Sequence, residues 1–451
     1  MLKYFTLESF RRNFYLVTPS ELLSLSKTDD CLPRMFSGTI PWVIVFLCVD
    51  ALVSHWKKKE NCVNIYDFSV SFIGTITVNG LHECLMRNLG LISGFLLYEK
   101  CHNAFGYELF SPGTWSFHAF VILSVDFIQY WRHRLEHEVH LLWCFHSFHH
   151  TSEYLHAGTS DRNPIIPEIA FWFLPLSPFV PRSILIVYFA SAEISQRWIH
   201  SQFLPKLGPL EWLFVTPSIH RVHHARNPYA IDCNFGALFC IWDRLFGTFV
   251  SEKEEEQLKY GTVEVLKSSN IFYLEFHAVY ELFTKKLSIC ETRNDKLKTL
   301  FYGPNWRPGD SRRLGDAPIP EVEDQPAVRY RTNGSVLMKL YCLIHATVTV
   351  MQVNAIVQMS TPNLLKQGSI VLIITSIWWI VNIALIIDDK FSANYSELLR
   401  CIASAILYWK FSTKSRSSVN QLALVVFIIS TMYWIRRSYH CIKEHSLKKA
   451  K

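Results

Sequence analysis

No CxxC pair occurs among the twelve cysteines of this 451-residue chain. That excludes the ligand spacing of zinc ribbons and of thioredoxin-like redox sites. The cysteines are scattered, and several, such as Cys48, Cys240 and Cys401, sit in apolar runs where reduced, buried thiols are expected. No HExxH string is present, so the metalloprotease helix with its Glu base is absent; Glu136 stands next to His137 in the order HRLEH. Internal repeats and low-complexity tracts are also missing, which excludes a solenoid. The first 30 residues, with Arg11, Arg12, Lys27 and Asp29, lack a cleavable signal pattern, so the first hydrophobic run is expected to serve as the insertion signal. Charged residues make up only 18% of the chain, with a net charge of +7. In so apolar a chain this excess fits basic residues beside anionic lipid and gives no reason to expect nucleic-acid binding.

What the sequence has in abundance is apolar surface. Half the residues are hydrophobic, 14% are aromatic, and the mean hydropathy is +0.14. Ser369–Ile387 is uncharged over 19 residues, Val419–Ile435 over 17, and Leu340–Leu364 over 25 with His345 as its one titratable interruption. A helix of about 20 such residues spans a hydrocarbon core. Thr39–Ser54 is apolar apart from Asp50, and two further stretches cover Thr114–Tyr130 and Val70–Leu97, the latter broken by His82, Glu83 and Arg87. Asn163–Arg197 is apolar but holds Pro164, Pro167, Pro175, Pro178 and Pro181, which break it into short pieces that dip into the bilayer, with Ile184–Ser195 as a return helix. The reading is an all-α, multispan integral membrane protein. Residues 1–38 form a polar leader, 39–250 a membrane-embedded catalytic region, 251–334 a cytosolic loop region, and 335–451 about four hydrophobic helices with a basic tail.

Eight histidines fall in three groups: His133 and His137 in HRLEH, His146, His149 and His150 in HSFHH, and His220, His223 and His224 in HRVHH. On a helix, i and i+4 residues share a face, so His133 and His137 can converge on one ion. In HxxHH the first and last histidines are again i and i+4, while the middle one diverges from the last. Each such tripod can give two ligands to one metal and one to its neighbour. Eight nitrogens exceed the needs of one tetrahedral ion and amount to four for each of two metals, with open positions for dioxygen or water. His200, with Gln196 one turn before it, is a ninth candidate. Asp126, Glu136, Glu138, Glu153, Glu193, Gln196 and Asp232 are candidates to orient an imidazole through its other N–H. His82, beside Glu83 in an apolar segment, is a further candidate for a role near the site. His102, His118, His140, His156, His277, His345 and His440 read as ordinary hydrogen-bonded or exposed residues. An all-imidazole set without an obvious bridging carboxylate differs from the soluble di-iron carboxylate bundles, and ligand type alone leaves iron, zinc and copper open.

Around these boxes, over roughly 117–250, the chain resembles the fatty acid hydroxylase and sterol desaturase superfamily of membrane non-haem di-iron enzymes of the endoplasmic reticulum. The strings Trp198–Ile199–His200, Leu207–Gly208–Pro209–Leu210–Glu211, Thr216–Pro217–Ser218, Tyr229 to Phe235 and Ile241 to Phe249, with Gly303 to Gly309 beyond the core, are similar to the glyceryl-ether-cleaving branch of that superfamily. The four-helix C-terminal region fits that branch better than the short sterol desaturases. The resemblance implies iron at both metal positions, dioxygen, and tetrahydrobiopterin as reductant. It also implies an ether-lipid substrate, an alkylglycerol or lyso-alkyl lipid. Lys448 and Lys449 lie where a dilysine retrieval signal would, and with Arg436, Arg437 and Lys443 they predict an endoplasmic-reticulum protein with its C-terminus cytosolic. Four spans from Val336 onward then put the histidines on the cytosolic side too, where the sequons Asn333–Gly334–Ser335 and Asn394–Tyr395–Ser396 would go unused. Two alternatives stand beside this reading. One is a sterol or fatty-acyl hydroxylase or desaturase fed by cytochrome b5, although the sequence carries no cytochrome b5-like domain. The other is a zinc or iron transporter, disfavoured because the clusters follow Arg132, Arg134 and Arg221 at a membrane edge.

Overall fold

A computed structural model describes residues 6–14, 24, 31–56, 64–74, 77, 80, 93–107, 109–164, 169–322, 335–357, 367–414 and 418–449. His82, Glu83, Arg87, the Asn333–Gly334 part of one sequon and the last two residues lie outside the described residues. The described residues form helices and loops without a strand; only isolated bridges pair Phe214 with Phe239 and Ala225 with Tyr260. The chain divides into two compact units.

The first unit comprises Met1–Asn64, Ile92–Leu266 and Glu275–Val328. Its helices include α1 (Cys31–Trp56), α2 (Ser93–Phe105), α3 (Trp115–Glu138), α4 (His140–His146), α5 (Arg182–Ile199), α6 (Pro217–His224), α7 (Ile241–Phe246) and α8 (Arg293–Phe301). Thr114 caps α3: it takes extended backbone angles, and its side chain accepts the Phe117 N–H. Phe117, Val121 and Val125 recur every fourth residue and bury one stripe of α3 against Ile184, Leu185 and Tyr188 of α5. Gln129, His133 and His137 continue the same spacing, so a single slowly turning stripe changes from apolar to imidazole along one helix. The proline-rich stretch breaks as expected into the short helix Ile169–Trp172 and the turn Leu174–Leu176. Pro181 then caps α5, which runs past the expected return segment to Ile199 and leaves His200 just beyond its end.

α6 carries the third histidine group and is buried at all eight positions. Pro217 opens it at a position where a missing N–H costs nothing. Glu211 Oε1 steadies its entry by accepting Leu207 N–H at 2.9 Å, Thr216 Oγ1 at 2.9 Å and Ser218 Oγ at 2.5 Å. Asp126 ties α3 to α7: it accepts the amides of Leu238 (2.7 Å) and Phe239 (3.2 Å) and the indole N–H of Trp242 (2.8 Å).

The second unit comprises Ile65–Leu91, Lys267–Leu274 and Arg329–Lys451. Its long helices are α9 (Val336–Val357), α10 (Gln367–Ile387), α11 (Ser392–Lys414) and α12 (Ser418–Lys449). Windows within α9 (Val336–Val353) and α10 (Ile370–Ile387) are long and apolar enough to cross a membrane by length and composition. Beside an apolar core around Ile356, Leu372 and Leu407, this unit buries several polar groups and exposes many apolar ones. His345, Gln352, Asn382, Glu397, Arg400 and Ser404 are buried, while Ile344, Met351, Ile374, Leu399, Ile406 and Ile428 are exposed.

Candidate metal centre

The nine candidate histidines gather in the first unit into two adjoining groups. His133, His137, His146, His150 and His223 form one; His149, His200, His220 and His224 form the other; within each, the nitrogens lie within 4.8 Å of one another. His133 and His137 come from the last turns of α3. His146 ends α4, and His149 and His150 follow in the 3-10 turn Ser147–Thr151. His220, His223 and His224 come from α6. Both HxxHH strings divide between the two groups in the same way. The outer pair of each serves one group and the middle histidine, His149 or His223, crosses to the other. The eight box histidines divide five and three rather than four and four, and His200 brings the second group to four. The ring of His150 stacks on that of His224 with centroids 4.5 Å apart, so the two groups share a wall.

Hydrogen bonding shows which ring nitrogen faces inward. Nδ1 of His133 lies 3.0 Å from the Phe235 carbonyl, that of His223 2.9 Å from Cys233 O, that of His149 3.3 Å from Arg162 O, and that of His200 2.7 Å from Gln196 O. A carbonyl only accepts, so each of these Nδ1 atoms carries the proton and, in a neutral ring, each Nε2 presents a lone pair. Yet His149 Nε2 and His200 Nε2 stand 3.4 Å apart, a contact that cannot be a hydrogen bond between those tautomers. Nε2–Nε2 contacts of 3.0 Å join His200 to His220 and His220 to His224, and contacts of 3.2 Å join His146 to His133 and to His150. The buried Nε2 atoms of His137 and His223 have no hydrogen-bond partner. Converging lone pairs repel unless a cation lies between them, so this donor set fits a pair of transition-metal ions held by imidazole.

Protons are poor substitutes for that cation. Burial first, and then the charge of neighbouring imidazoles, hold His133, His146, His149, His150, His220, His223 and His224 well below their ordinary value. Burial lowers His200 from 6.5 to about 4. Each of these groups is neutral when folded and becomes cationic when unfolded below about 6.5. The unfolded state thus binds more protons, so stability is fully present above 6.5 and is lost as pH falls from there toward 4. Metal-free protein should keep its unfolding midpoint between pH 8 and 7 and lose it steeply between pH 6.5 and 5. The slope per histidine is up to about 1.4 kcal/mol per pH unit. Thermal unfolding of chelator-treated protein checks this; a midpoint flat across that range would show that the rings are not held neutral.

Two of the seven candidate orienting residues meet imidazoles through their side chains. Asp232 Oδ1 is hydrogen-bonded to His137 Nδ1 at 3.3 Å, whereas Glu136 Oε2 stands 3.2 Å from His146 Nδ1 without hydrogen-bond geometry, both in the first group. A carboxylate bonded as Asp232 is fixes ring orientation and raises ligand basicity. Gln196 acts through its main-chain carbonyl, while its side chain donates to Ala237 O at 3.0 Å. Asp126 serves backbone amides, as described above. Glu138 pairs with Arg134 at 2.8 Å and with Arg313 at 3.1 Å. Glu193 lies in the electrostatic field of Arg132, Glu136, Asp161 and Arg197, and Glu153 sits beside Gly261.

The histidines read as ordinary stay apart from the two groups. His102 Nδ1 meets Ser177 O at 2.7 Å, and His156 Nδ1 accepts the Gly158 N–H at 3.1 Å. His118 is buried beside Tyr188, and His440 is exposed. His345 adjoins Glu397 and Cys401 in the second unit, a trio with metal-like spacing. Arg400 already supplies the positive charge there, donating to His345 Nδ1 at 2.8 Å and to Glu397 at 2.6 and 2.8 Å, so that cluster is a closed ion-pair network.

Sequence reasoning picked out Asp232 but missed the main-chain acceptors on the loop 232–236. Asp232 and Asn234 adopt left-handed backbone angles, φ 55° and 57°, which Asp and Asn tolerate better than most residues. That conformation delivers the Cys233 and Phe235 carbonyls to His223 and His133. The only available signal was an Asp and an Asn two apart in a loop.

The fatty acid hydroxylase family model matches residues 118–248, the stretch that carries all nine of these imidazoles. The whole-chain comparisons are more specific. The chain is 31% identical to human alkylglycerol monooxygenase over 98% of its own length and 97% of the relative's. It is 30% identical to the Danio rerio alkylglycerol monooxygenase over 96% and 95%, and 32% identical to that of Caenorhabditis elegans over 76% and 70%. The chain belongs to the alkylglycerol monooxygenase family. No solved structure matches it.

Proposed function

We propose that this protein is a multi-pass endoplasmic-reticulum enzyme that hydroxylates the ether-linked carbon of alkylglycerols and related lyso-alkyl lipids. Its site and C-terminus face the cytosol, and residues 39–250 form the catalytic region. The observation that carries the reading is the pair of convergent all-imidazole groups in a chain collinear with alkylglycerol monooxygenases. An iron pair with tetrahydrobiopterin would supply dioxygen activation, one oxygen atom entering the C–H bond and the other leaving as water with two electrons and two protons from the pterin.

The chain's own residues supply the rest. Carbonyls of Arg162, Gln196, Cys233 and Phe235 keep four Nε2 lone pairs pointing inward. Burial of the imidazoles keeps them unprotonated and limits access of bulk water. The hydroxylated ether carbon is a hemiacetal, which collapses to a fatty aldehyde and glycerol or its derivative. An ether oxygen stabilises electron deficiency on the neighbouring carbon, which explains why that carbon is the one attacked. The membrane setting is supported by the second unit, which exposes apolar side chains such as Ile344, Ile374 and Leu399 and carries two helices long and apolar enough to span a bilayer.

Purified protein loaded with iron should release aldehyde from an alkylglycerol only when both oxygen and tetrahydrobiopterin are present. Turnover with NADH and cytochrome b5 in the absence of pterin would overturn the reading and favour a sterol or fatty-acyl hydroxylase or desaturase.

A further inference from the structure

Asp50 is the single acidic residue of the first apolar run, Thr39–Ser54, and it is only 4% exposed. A carboxylate buried in an apolar helix is expensive, so its partner identifies what it is for. That partner is Ser201, 151 residues further along the chain, whose Oγ donates to Asp50 Oδ1 at 2.6 Å. Ser201 directly follows His200, and its hydroxyl also accepts the Phe203 N–H at 3.4 Å. From another direction Arg221 donates through Nη1 to the carbonyls of Ser201 (3.1 Å) and Leu204 (2.6 Å). Arg221 is itself fixed by two bonds to Glu252, Nε to Oε1 at 3.0 Å and Nη2 to Oε2 at 2.7 Å. It follows His220 on α6. The turn Ser201–Leu204 is therefore gripped by a buried carboxylate and a buried guanidinium.

The grip matters because His200 lies past the end of α5, at φ −78° and ψ 61°. The helix ladder no longer fixes the backbone there, so the direction of Nε2 is set jointly by the Gln196 carbonyl on Nδ1 and by the turn that holds the main chain of His200. The five-imidazole group has different supports: Asp232 and the Phe235 and Cys233 carbonyls.

We infer that Asp50, acting through Ser201, is a positioning residue for the four-imidazole group of His149, His200, His220 and His224, and that its loss weakens one metal position selectively. This rests on the reading of the nine histidines as ligands for two metals.

The test uses full-length protein purified in detergent and loaded with ferrous iron, with bound iron counted during chelator titration. Wild type is expected to hold two equivalents. In Asp50→Asn and in Ser201→Ala, one equivalent should leave at about 10- to 100-fold lower chelator concentration while the other is unchanged, the usual cost of losing a group that orients a ligand. Ser201→Ala removes a single oxygen atom and decides the matter alone if Asp50→Asn fails to fold. Two equivalents held as in wild type, or both weakened equally, would overturn the inference. Wild-type protein that retains no iron would overturn the metal reading itself, and the role of Asp50 with it.

Discussion

Replacing His149 or His223 with alanine should each lower turnover at least about 1,000-fold, equivalent to about 4 kcal/mol of transition-state stabilisation. These two residues are the crossovers. His149 sits between His146 and His150 in sequence terms but joins His200, His220 and His224, while His223 leaves its own box for the α3 and α4 histidines. His149→Ala leaves three imidazoles in the smaller group and should release that metal first. His223→Ala leaves four in the larger group, so its iron should be retained better than its activity. Iron stoichiometry and aldehyde formation at saturating pterin, measured on the same preparations, separate the two effects. A variant keeping two irons and more than a tenth of wild-type turnover would place that histidine outside the ligand set.

Much of this site was legible in the sequence because its spacing is helical arithmetic. HxxxH at the end of an apolar run, and two HxxHH strings, dictate which imidazoles share a face, and the structure retains that geometry even where His149 and His150 sit in a 3-10 turn. His200 was legible from its place after an apolar helix with Gln196 one turn back. The acceptors were another matter. Arg162, Gln196, Cys233 and Phe235 act through main-chain carbonyls, and a carbonyl leaves no residue signature. Seven acidic or amide residues were plausible orienters, but only distance separates Glu136 and Asp232 from Asp126, which turns to the amides of Leu238 and Phe239 instead. Three of the C-terminal helices, α9, α10 and α12, overlap the uncharged runs, whereas α11, with Glu397, Arg400 and Lys410, does not. The buried bond between His345 and Arg400 was not legible, because the two are 55 positions apart on different helices.

Asp243→Ala should be the most damaging substitution that touches no histidine. Asp243 is fully buried and accepts three hydrogen bonds: Phe235 N–H at 2.7 Å, Gly236 N–H at 2.8 Å and Thr248 Oγ1 at 2.7 Å. Asn234 completes the clamp. Its side chain donates to Ile219 O at 3.1 Å and Val250 O at 2.7 Å and accepts Val250 N–H at 2.8 Å. The loop so held presents the Asp232 carboxylate to His137, the Cys233 carbonyl to His223 and the Phe235 carbonyl to His133, so three of the five imidazoles in one group depend on it. Gly236 is also constrained, since a Cβ there would lie 2.5 Å from Phe239 O and 2.8 Å from Asp243 Oδ2; the carboxylate fits only because that position has no side chain. Removing the carboxylate strands two buried amides at about 1–3 kcal/mol each and loses the charge-assisted part of those bonds, for a total of about 3–5 kcal/mol. That is a large share of the 5–15 kcal/mol typical of a folded domain. Asp243→Asn should fall between: its oxygen can serve one amide, but its NH2 then faces the other donor. Thermal unfolding and iron retention should decline in the order wild type, Asp243→Asn, Asp243→Ala, and turnover should decline further than unfolding alone explains, because the carbonyls that aim His133 and His223 move with the loop. An Asp243→Ala protein with wild-type melting and wild-type iron content would show that the loop holds its shape without the carboxylate.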